Sequence, residues 1–536
     1  LFAYLNRMPK LPDILPTDVS SIRKIGVKNY QEKLFWPVSD HEFLSTIEFL
    51  LDAFDDLYMN LDPDGRDVVL SDVAFVDFIV GHLHAIAVSN YCRARDININ
   101  AGPKWESDLK PDWKRLCSEF DKSIRDRRYV YRLRRIAKNI AFNSHLNLRS
   151  QIKGHFSSDG LSLGSASRLR QEYLFQNSLF IDNHYWPTLL DKCNFEKRKI
   201  GLSVSAKKRI ENFTEVVSSY CSEKLQAPFD ARSFMKCWVG RLTTLNTIYK
   251  FLLEHGPSTK YFLFTETGQI LNKLVAHALN RKGAKTVAFH HGNHMGGTGE
   301  RAMVYNGPSS CSEFVCPTSE CADSIRSMYK QMKISKYKKP KFTSTETKYY
   351  CKVWEESQAF SFPERIETVM IMGYPMTPIR YFDYPGLYFY FQLDLELRLV
   401  SLLKLHGFKV LYKIHPEVTN EVKDIFMPLC DKILFAPFEN VWHEADALIA
   451  KYSASTTFGF ALCTNRPIFF IDLEKLDYWH PEHYEKLRKR CHMIDAWTNE
   501  QNRIEFDEDK LLEGLSSKQE YPDFSYIKKY MFPLET

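Results

Sequence analysis

The residues best suited to chemistry are His415, followed by Pro416, and the hydroxyl cluster Ser453, Ser455, Thr456 and Thr457. His415-Pro416 closes an apolar run, VLYKI, that also carries Lys413, and Ser453 follows a second run, ADALIAK. An imidazole donates a hydrogen bond to a phosphate, with charge assistance when it is protonated. Hydroxyls at a helix start either cap the helix or, together with unsatisfied backbone N–H groups, hold an anion. Placement favours the anion, because both sets sit at the carboxyl ends of strand-like runs, where open α/β sheets bind ligands.

Four such runs, VLYKI, KILFA, ADALIAK and PIFFIDL, are short, unalternating and β-branched or aromatic, as buried parallel strands are. They predict a sheet between Phe408 and Glu474, preceded by a strand at Thr368–Met372, a loop from Gly373 to Gly386 and a helix ending before Gly407. That loop carries Arg380 and Asp383 beside the strand's carboxyl end. Upstream, YFLFTET, a helix at Ile270–Leu279 and a strand at Lys285–Phe289 make a βαβ unit, with a third strand at Phe314–Thr318. Its second strand runs into His290, His291 and Gly292 and a Gly-rich loop ending in Glu300. Glu266 closes the neighbouring strand. Neither a Walker nor a dinucleotide fingerprint is present, so this loop reads as a sugar or acceptor site with acid/base groups, and its histidines as hydrogen-bonding groups rather than metal ligands.

The stretch Lys413-Ile-His415-Pro416, Ala445–Ile449, Tyr452–Thr456 and Arg466–Phe470 resembles the C-terminal half of GT-B glycosyltransferases acting on CMP-activated donors, such as bacterial sialyltransferases and Kdo transferases of surface polysaccharides. It is also similar to the glycerophosphotransferases of teichoic acid synthesis, although many of those have Asp where this chain has Lys451. The resemblance implies an α/β, GT-B-like fold: two Rossmann-like domains facing across a cleft, with an N-terminal helical elaboration. The expected divisions are 1–360 on the acceptor side, 361–505 for the nucleotide sugar, and 506–536 crossing back to the first domain as a terminal helix near Tyr521–Met531. It further implies that Lys413, His415, Pro416, Ser453, Ser455, Thr456 and Arg380 hold the donor nucleotide. Asp383 then serves as the nucleophile of a retaining route, or His291, Glu266 or Glu300 as the base of an inverting one. No Asp-x-Asp follows a strand in a suitable loop, so the leaving phosphate is expected to be held without a metal or other cofactor. The function this implies is transfer of Kdo or a related sugar to a surface-polysaccharide acceptor, normally lipid-linked. The alternatives are glycerophosphate transfer from CDP-glycerol and a non-catalytic glycan-binding scaffold.

With 536 residues, 44% hydrophobic and 26% charged, the chain is long enough for two or three domains of ordinary globular composition. A net charge of +6 does not call for nucleic acid. No apolar run reaches the ~18 to 20 residues of a membrane span and no signal-peptide pattern opens the chain, which gives the expectation of a cytoplasmic protein. The first residue is Leu1, so the natural start is expected to lie upstream. Twelve cysteines without a Cys-x-x-Cys, and Cys311, Cys316 and Cys321 at five-residue spacing, read as packing residues. Residues 1–35 read as an irregular arm, Ser39–Asp56 and Val73–Tyr91 as apolar-faced helices, residues 141–240 as helical or irregular, and Lys333–Lys348 as an interdomain linker. His82 and His84, two apart in the second helix, point to different faces. The basic run Lys122–Lys138 is expected to form an amphipathic helix whose cationic face is either simply solvated or touches anionic headgroups at the inner membrane or an acidic acceptor glycan.

Overall fold

A computed structural model describes residues 12–125, 143, 145–147, 158–164, 167–183, 193, 199–265, 269–290, 301–376, 389–417, 419–453, 455–473 and 479–533. Residues 12–35 form regular elements rather than an irregular arm, and residues 1–11 of that reading lie outside the described residues. Ile14–Pro16 (β1) pairs in parallel with Asn98–Asn100 (β2), and short helices follow at Val19–Ile25 and Val27–Glu32. The sequence signal was Asp18 with Ser21: the Asp18 carboxylate accepts from the Ser21 N–H while the Ser21 hydroxyl accepts from the Asp18 N–H. This reciprocal cap satisfies two N–H groups that the helix cannot use. Ser39 and Glu42 repeat the device at the Asp40–Met59 helix, whose Phe43, Ile47, Leu50, Leu51 and Phe54 are buried, as their spacing predicts.

The first sheet contains Gly160–Leu163 (β3), Ile181–Asn183 (β4), Tyr261–Phe264 (β5), Lys285–Phe289 (β6), Glu313–Cys316 (β7) and Lys341–Ser344 (β8) in the order β4-β3-β5-β6-β7-β8, all parallel. Strands β5, β6 and β7 and the Ile270–Arg281 helix fall where the apolar runs place them. Strands β3 and β4 do not announce themselves, because each is short and β3 reads Gly-Leu-Ser-Leu. At Gly160 a Cβ would meet the Tyr261 carbonyl oxygen at 2.4 Å, so glycine is required by the close approach of β5. Strand β8 corrects the linker reading of Lys333–Lys348. The segment pairs along β7, with Thr343 Oγ1 donating to Glu313 Oε1 at 2.9 Å, and its exposed Lys341 suits a sheet edge.

The second sheet contains Thr368–Met372 (β9), Lys409–Lys413 (β10), Lys432–Leu434 (β11), Ala447–Ala450 (β12), Ile468–Asp472 (β13), His492–Thr498 (β14) and Ile504–Phe506 (β15). The order is β11-β10-β9-β12-β13-β14-β15, parallel except for the last pair. Numbered along the chain, its parallel strands run 3-2-1-4-5-6, the dinucleotide-binding order, so the winding reverses between β9 and β12. Residues of β12 and β13 are buried throughout, which is why their sequences show no alternation. The molecule thus has the expected class: two Rossmann-like α/β units with an N-terminal helical elaboration.

Both ends of the chain fasten the two units. Trp36 N–H donates to Gln501 O at 3.3 Å and its carbonyl accepts from Asn502 Nδ2 at 2.8 Å, while the Tyr30 hydroxyl donates to Tyr390 O. At the far end the terminal helix is shorter than expected, Ser525–Tyr530, and packs between the Ser319–Gln331 and Pro481–Arg490 helices, with Thr318 Oγ1 donating to Tyr530 O at 2.8 Å. Among the described residues no single helix is long and apolar enough to cross a membrane. Pro63–Ser71 and Ala74–Arg93 reach that composition only as a pair bent by 52°, and their apolar side chains lie mostly in the core.

His82 and His84 find different partners, His82 Nδ1 donating to Asp108 O at 2.5 Å and His84 Nε2 accepting from the Trp36 indole at 3.0 Å. Burial pushes the imidazoles of His84, His277 and His483 down to about 3. Unfolded, each protonates near 6.5, so between those values the unfolded chain binds more protons and stability falls with falling pH. At pH 5 each contributes a loss of about 2 kcal/mol. Urea denaturation at pH 7 and pH 5 is expected to show a lower midpoint at pH 5; equal midpoints would contradict neutral burial of these rings.

Candidate functional site

The carboxyl edge around the β9/β12 reversal is built on a buried ion pair. Glu396, on the Phe389–Leu405 helix, is wholly buried, and Lys451, immediately after β12, is 4% exposed. The Lys451 ammonium bonds Glu396 Oε1 and also donates to Met372 O, the last carbonyl of β9, at 2.8 Å. Glu396 Oε1 accepts further from Tyr374 N–H at 2.7 Å and Oε2 from the Tyr412 hydroxyl at 2.5 Å. Burial and then the Glu396 carboxylate raise the Tyr412 hydroxyl well above the usual phenol range, so it stays protonated and donates. The chain passes over this ring at Gly373, where a Cβ would lie 2.6 Å from the Tyr412 hydroxyl. One carboxylate therefore fixes the ends of β9, β10 and β12 together.

Around this anchor the expected donor-binding residues take distinct places. Lys413 is 7% exposed and its ammonium donates to Ile414 O at 2.8 Å, with burial pulling its pKa below the usual lysine range against the opposing effect of Glu439. His415 is half-buried, and its Nδ1 accepts from the Glu417 N–H at 3.3 Å, which puts the proton of a neutral ring on Nε2. Pro416 is exposed beside it. Ser455 caps the short Thr456–Leu462 helix by accepting from Phe458 N–H at 3.0 Å, and Thr456 is exposed at its first position. Ser453 differs from these. Its side chain is 5% exposed and its hydroxyl makes no hydrogen bond among the described residues. Strands β10, β9 and β12 are adjacent in that order, so His415 and Ser453 follow strands about 10 Å apart on one edge, astride the reversal.

Arg380 and Asp383, and likewise Glu266, His291 and Glu300, lie outside the described residues, as do most of the basic run after Arg125 and its Lys138 end. On the first sheet's carboxyl edge, Thr265 and His290 are buried at the ends of β5 and β6. Arg170 is also buried there, Nη1 donating to Ser162 Oγ at 2.9 Å. Sequence reading missed Arg170 and Glu396. Glu396 did leave a signal, an acid within FYFQLDLELRLVSLLKL, where the neighbouring apolar density implies burial and a buried acid implies a partner.

Lys451→Ala is expected to cost about 3 to 5 kcal/mol by leaving Glu396 buried without its counter-charge. Lys451→Met combined with Glu396→Leu is expected to recover most of that loss, because the charge is removed from both sides. Urea midpoints of the single and double variants check this; equal destabilisation by both would show that the pair does not depend on charge compensation.

No protein-family model matches the chain, and no curated protein matches it. Among solved structures, the chain is similar to a UDP-N-acetylglucosamine 2-epimerase from Rickettsia bellii at 12% identity and a TM-score of 0.34, over 69% of this chain and 92% of that one.

Proposed function

We propose that this chain is a transferase that moves Kdo or a related sugar from a CMP-activated donor to a surface-glycan acceptor, normally lipid-linked, with the donor on the second sheet. The observation that carries the reading is the Ser453 hydroxyl, buried and without a partner among the described residues beside the winding reversal, on the same edge as His415. A desolvated hydroxyl costs about 1 to 3 kcal/mol when unpaired, and a phosphate oxygen arriving there would offset that cost. His415 supports the same reading by its place after β10 on the same edge, since an imidazole is a residue type suited to a phosphate oxygen. Lys451 weighs against the glycerophosphotransferase alternative: the family's Asp position holds here a cation consumed by Glu396 and the sheet.

CMP is expected to raise the melting temperature of the wild-type protein by mass action, and Ser453→Ala and His415→Ala to diminish that rise. His415→Ala is further expected to lose about 2 to 4 kcal/mol of transition-state stabilisation, measured as CMP release from CMP-Kdo, in line with loss of a single donor to a developing anion. Stabilisation by UDP or GDP alone would overturn the cytidine assignment, and near-wild-type turnover in His415→Ala would remove that residue from the reaction.

Within this proposal Asp383 is the nucleophile: its carboxylate oxygen bonds the anomeric carbon as the bond to the CMP phosphate oxygen breaks, and the acceptor hydroxyl then displaces it. Intact-protein mass spectrometry with CMP-Kdo and no acceptor is expected to show one added sugar, absent in Asp383→Asn. An inverted product linkage with no adduct would hand the chemistry to a base of the first unit, His291, Glu266 or Glu300.

A further inference from the structure

On the opposite, amino edge of the first sheet lies a cavity of about 400 Å³, between the segments that lead into β7 and β8, the end of the Ile270–Arg281 helix and the start of the Pro63–Ser71 helix. Its lining carries Arg66, Arg281, Lys338 and Lys339 against a single carboxylate, Asp67. Asp67 is 1% exposed and organises two of the cations: Oδ1 accepts from Lys338 Nζ at 2.6 Å, and Oδ2 from Arg281 Nε at 2.9 Å and from the Tyr249 hydroxyl at 2.8 Å. One negative charge is thus already met by two positive ones, and Arg66 and Lys339 add to the excess.

Three uncharged groups of the lining have the same polarity. Lys338 Nζ has only hydrogens to give, so His277 Nδ1, 3.2 Å away, accepts and the ring proton sits on Nε2. That Nε2 and the hydroxyls of Tyr58 and Ser310 make no hydrogen bond among the described residues, although the three residues are 2%, 0% and 2% exposed. Burial raises the Tyr58 hydroxyl, and Asp67 raises it further, so it too remains a donor. Arg66 is held by the carbonyls of Tyr58 and Met59 and lies 3.3 Å over the Tyr337 ring centroid, which fixes its guanidinium without neutralising it. Buried donors without acceptors inside a ring of cations cost stability unless an anion meets them.

We propose that this cavity is a second ligand site, separate from the carboxyl-edge donor site, that binds a small phosphate-bearing anion of at least two charges. The volume suits a compact molecule, within the roughly 300 to 1,000 Å³ of small-molecule sites. A phosphate offers acceptors only toward Arg66, Lys339, His277 Nε2–H and the two hydroxyls, and needs no donor that the lining lacks.

Isothermal titration calorimetry with pyrophosphate, inorganic phosphate and ribose 5-phosphate tests this. Pyrophosphate is expected to bind the wild-type protein, with affinity weakened about tenfold in Tyr58→Phe, the scale of one hydrogen bond to a charged group, and by a similar factor in Lys339→Gln. Tyr58→Phe deletes a hydroxyl that bonds nothing among the described residues, and Lys339 is exposed, so both variants are expected to keep the wild-type melting temperature in the absence of ligand. Ser453→Ala is expected to bind pyrophosphate as the wild type does. Tighter binding of ribose 5-phosphate than of pyrophosphate, with the same sensitivity to the two variants, assigns a sugar phosphate, and the reverse order assigns an inorganic oligophosphate. No binding of any of the three, wild-type affinity in either cavity variant, or loss confined to Ser453→Ala would overturn the site.

Discussion

The ion pair between Glu396 and Lys451 is the constraint on which the second unit's carboxyl edge depends. A parallel sheet leaves the last carbonyls and first loop N–H groups of its strands without sheet partners. Where the winding reverses, no helix crosses from β9 to β12 to cover them. Here a single buried carboxylate and a single buried ammonium satisfy the Met372 carbonyl, the Tyr374 N–H and the Tyr412 hydroxyl at once. Two buried charges are tolerable only when paired and fully bonded, and this pair is bonded on both sides. The result is a rigid floor to the crevice, made of groups already committed to one another.

That commitment sorts the polar residues of the edge. Lys413 and Ser455 belong to the sequence motifs and Lys451 lies between them, and each is engaged in the fold: Lys413 on Ile414 O, Lys451 on Glu396, Ser455 on the first turn of its helix. The Ser453 hydroxyl, by contrast, has no hydrogen-bond partner among the described residues. Spacing in the sequence cannot separate these cases, because Ser453 and Ser455 have the same chemistry and differ only in whether the backbone N–H they could accept from lies within reach.

How much was legible follows from the same distinction between local and non-local causes. The central strands β9, β10, β12 and β13 were readable because a strand buried on both faces must be apolar along its whole length. The Ser39 helix was readable from its face and its cap. Strands β3 and β8 were not, since β3 exists because Tyr261 passes within reach of Gly160, and β8 because Lys341–Ser344 meets the open edge of β7; both causes lie far away in sequence. At the site, the edge that carries His415 and Ser453 could be located, but the partner of Lys451 could not. Glu396 lies 55 residues away on another element (451 − 396), and only the apolar company it keeps betrayed that it was buried.

The N-terminal elaboration acts as a brace, for reasons visible in where it spends its polar groups. On one side Asp67 binds Arg281 and Lys338 of the first unit, and Asp55 accepts from the Tyr305 hydroxyl at 2.5 Å. On the other, the Trp36 N–H donates to Gln501 O, its carbonyl accepts from the Asn502 side-chain amide, the Tyr30 hydroxyl donates to Tyr390 O, and Arg23 meets Asp424 at 2.9 Å. The first group is buried and charged, so its partners cannot separate without exposing an uncompensated carboxylate. The second is carried by the buried rings of Tyr30 and Trp36 against Tyr390, with centroids 5.0 and 4.6 Å apart, while the half-exposed ion pair adds at most about 1 kcal/mol. The elaboration is therefore held to both units by buried contacts, charged toward the first and aromatic toward the second, and separating either pair would expose groups that water does not compensate in full.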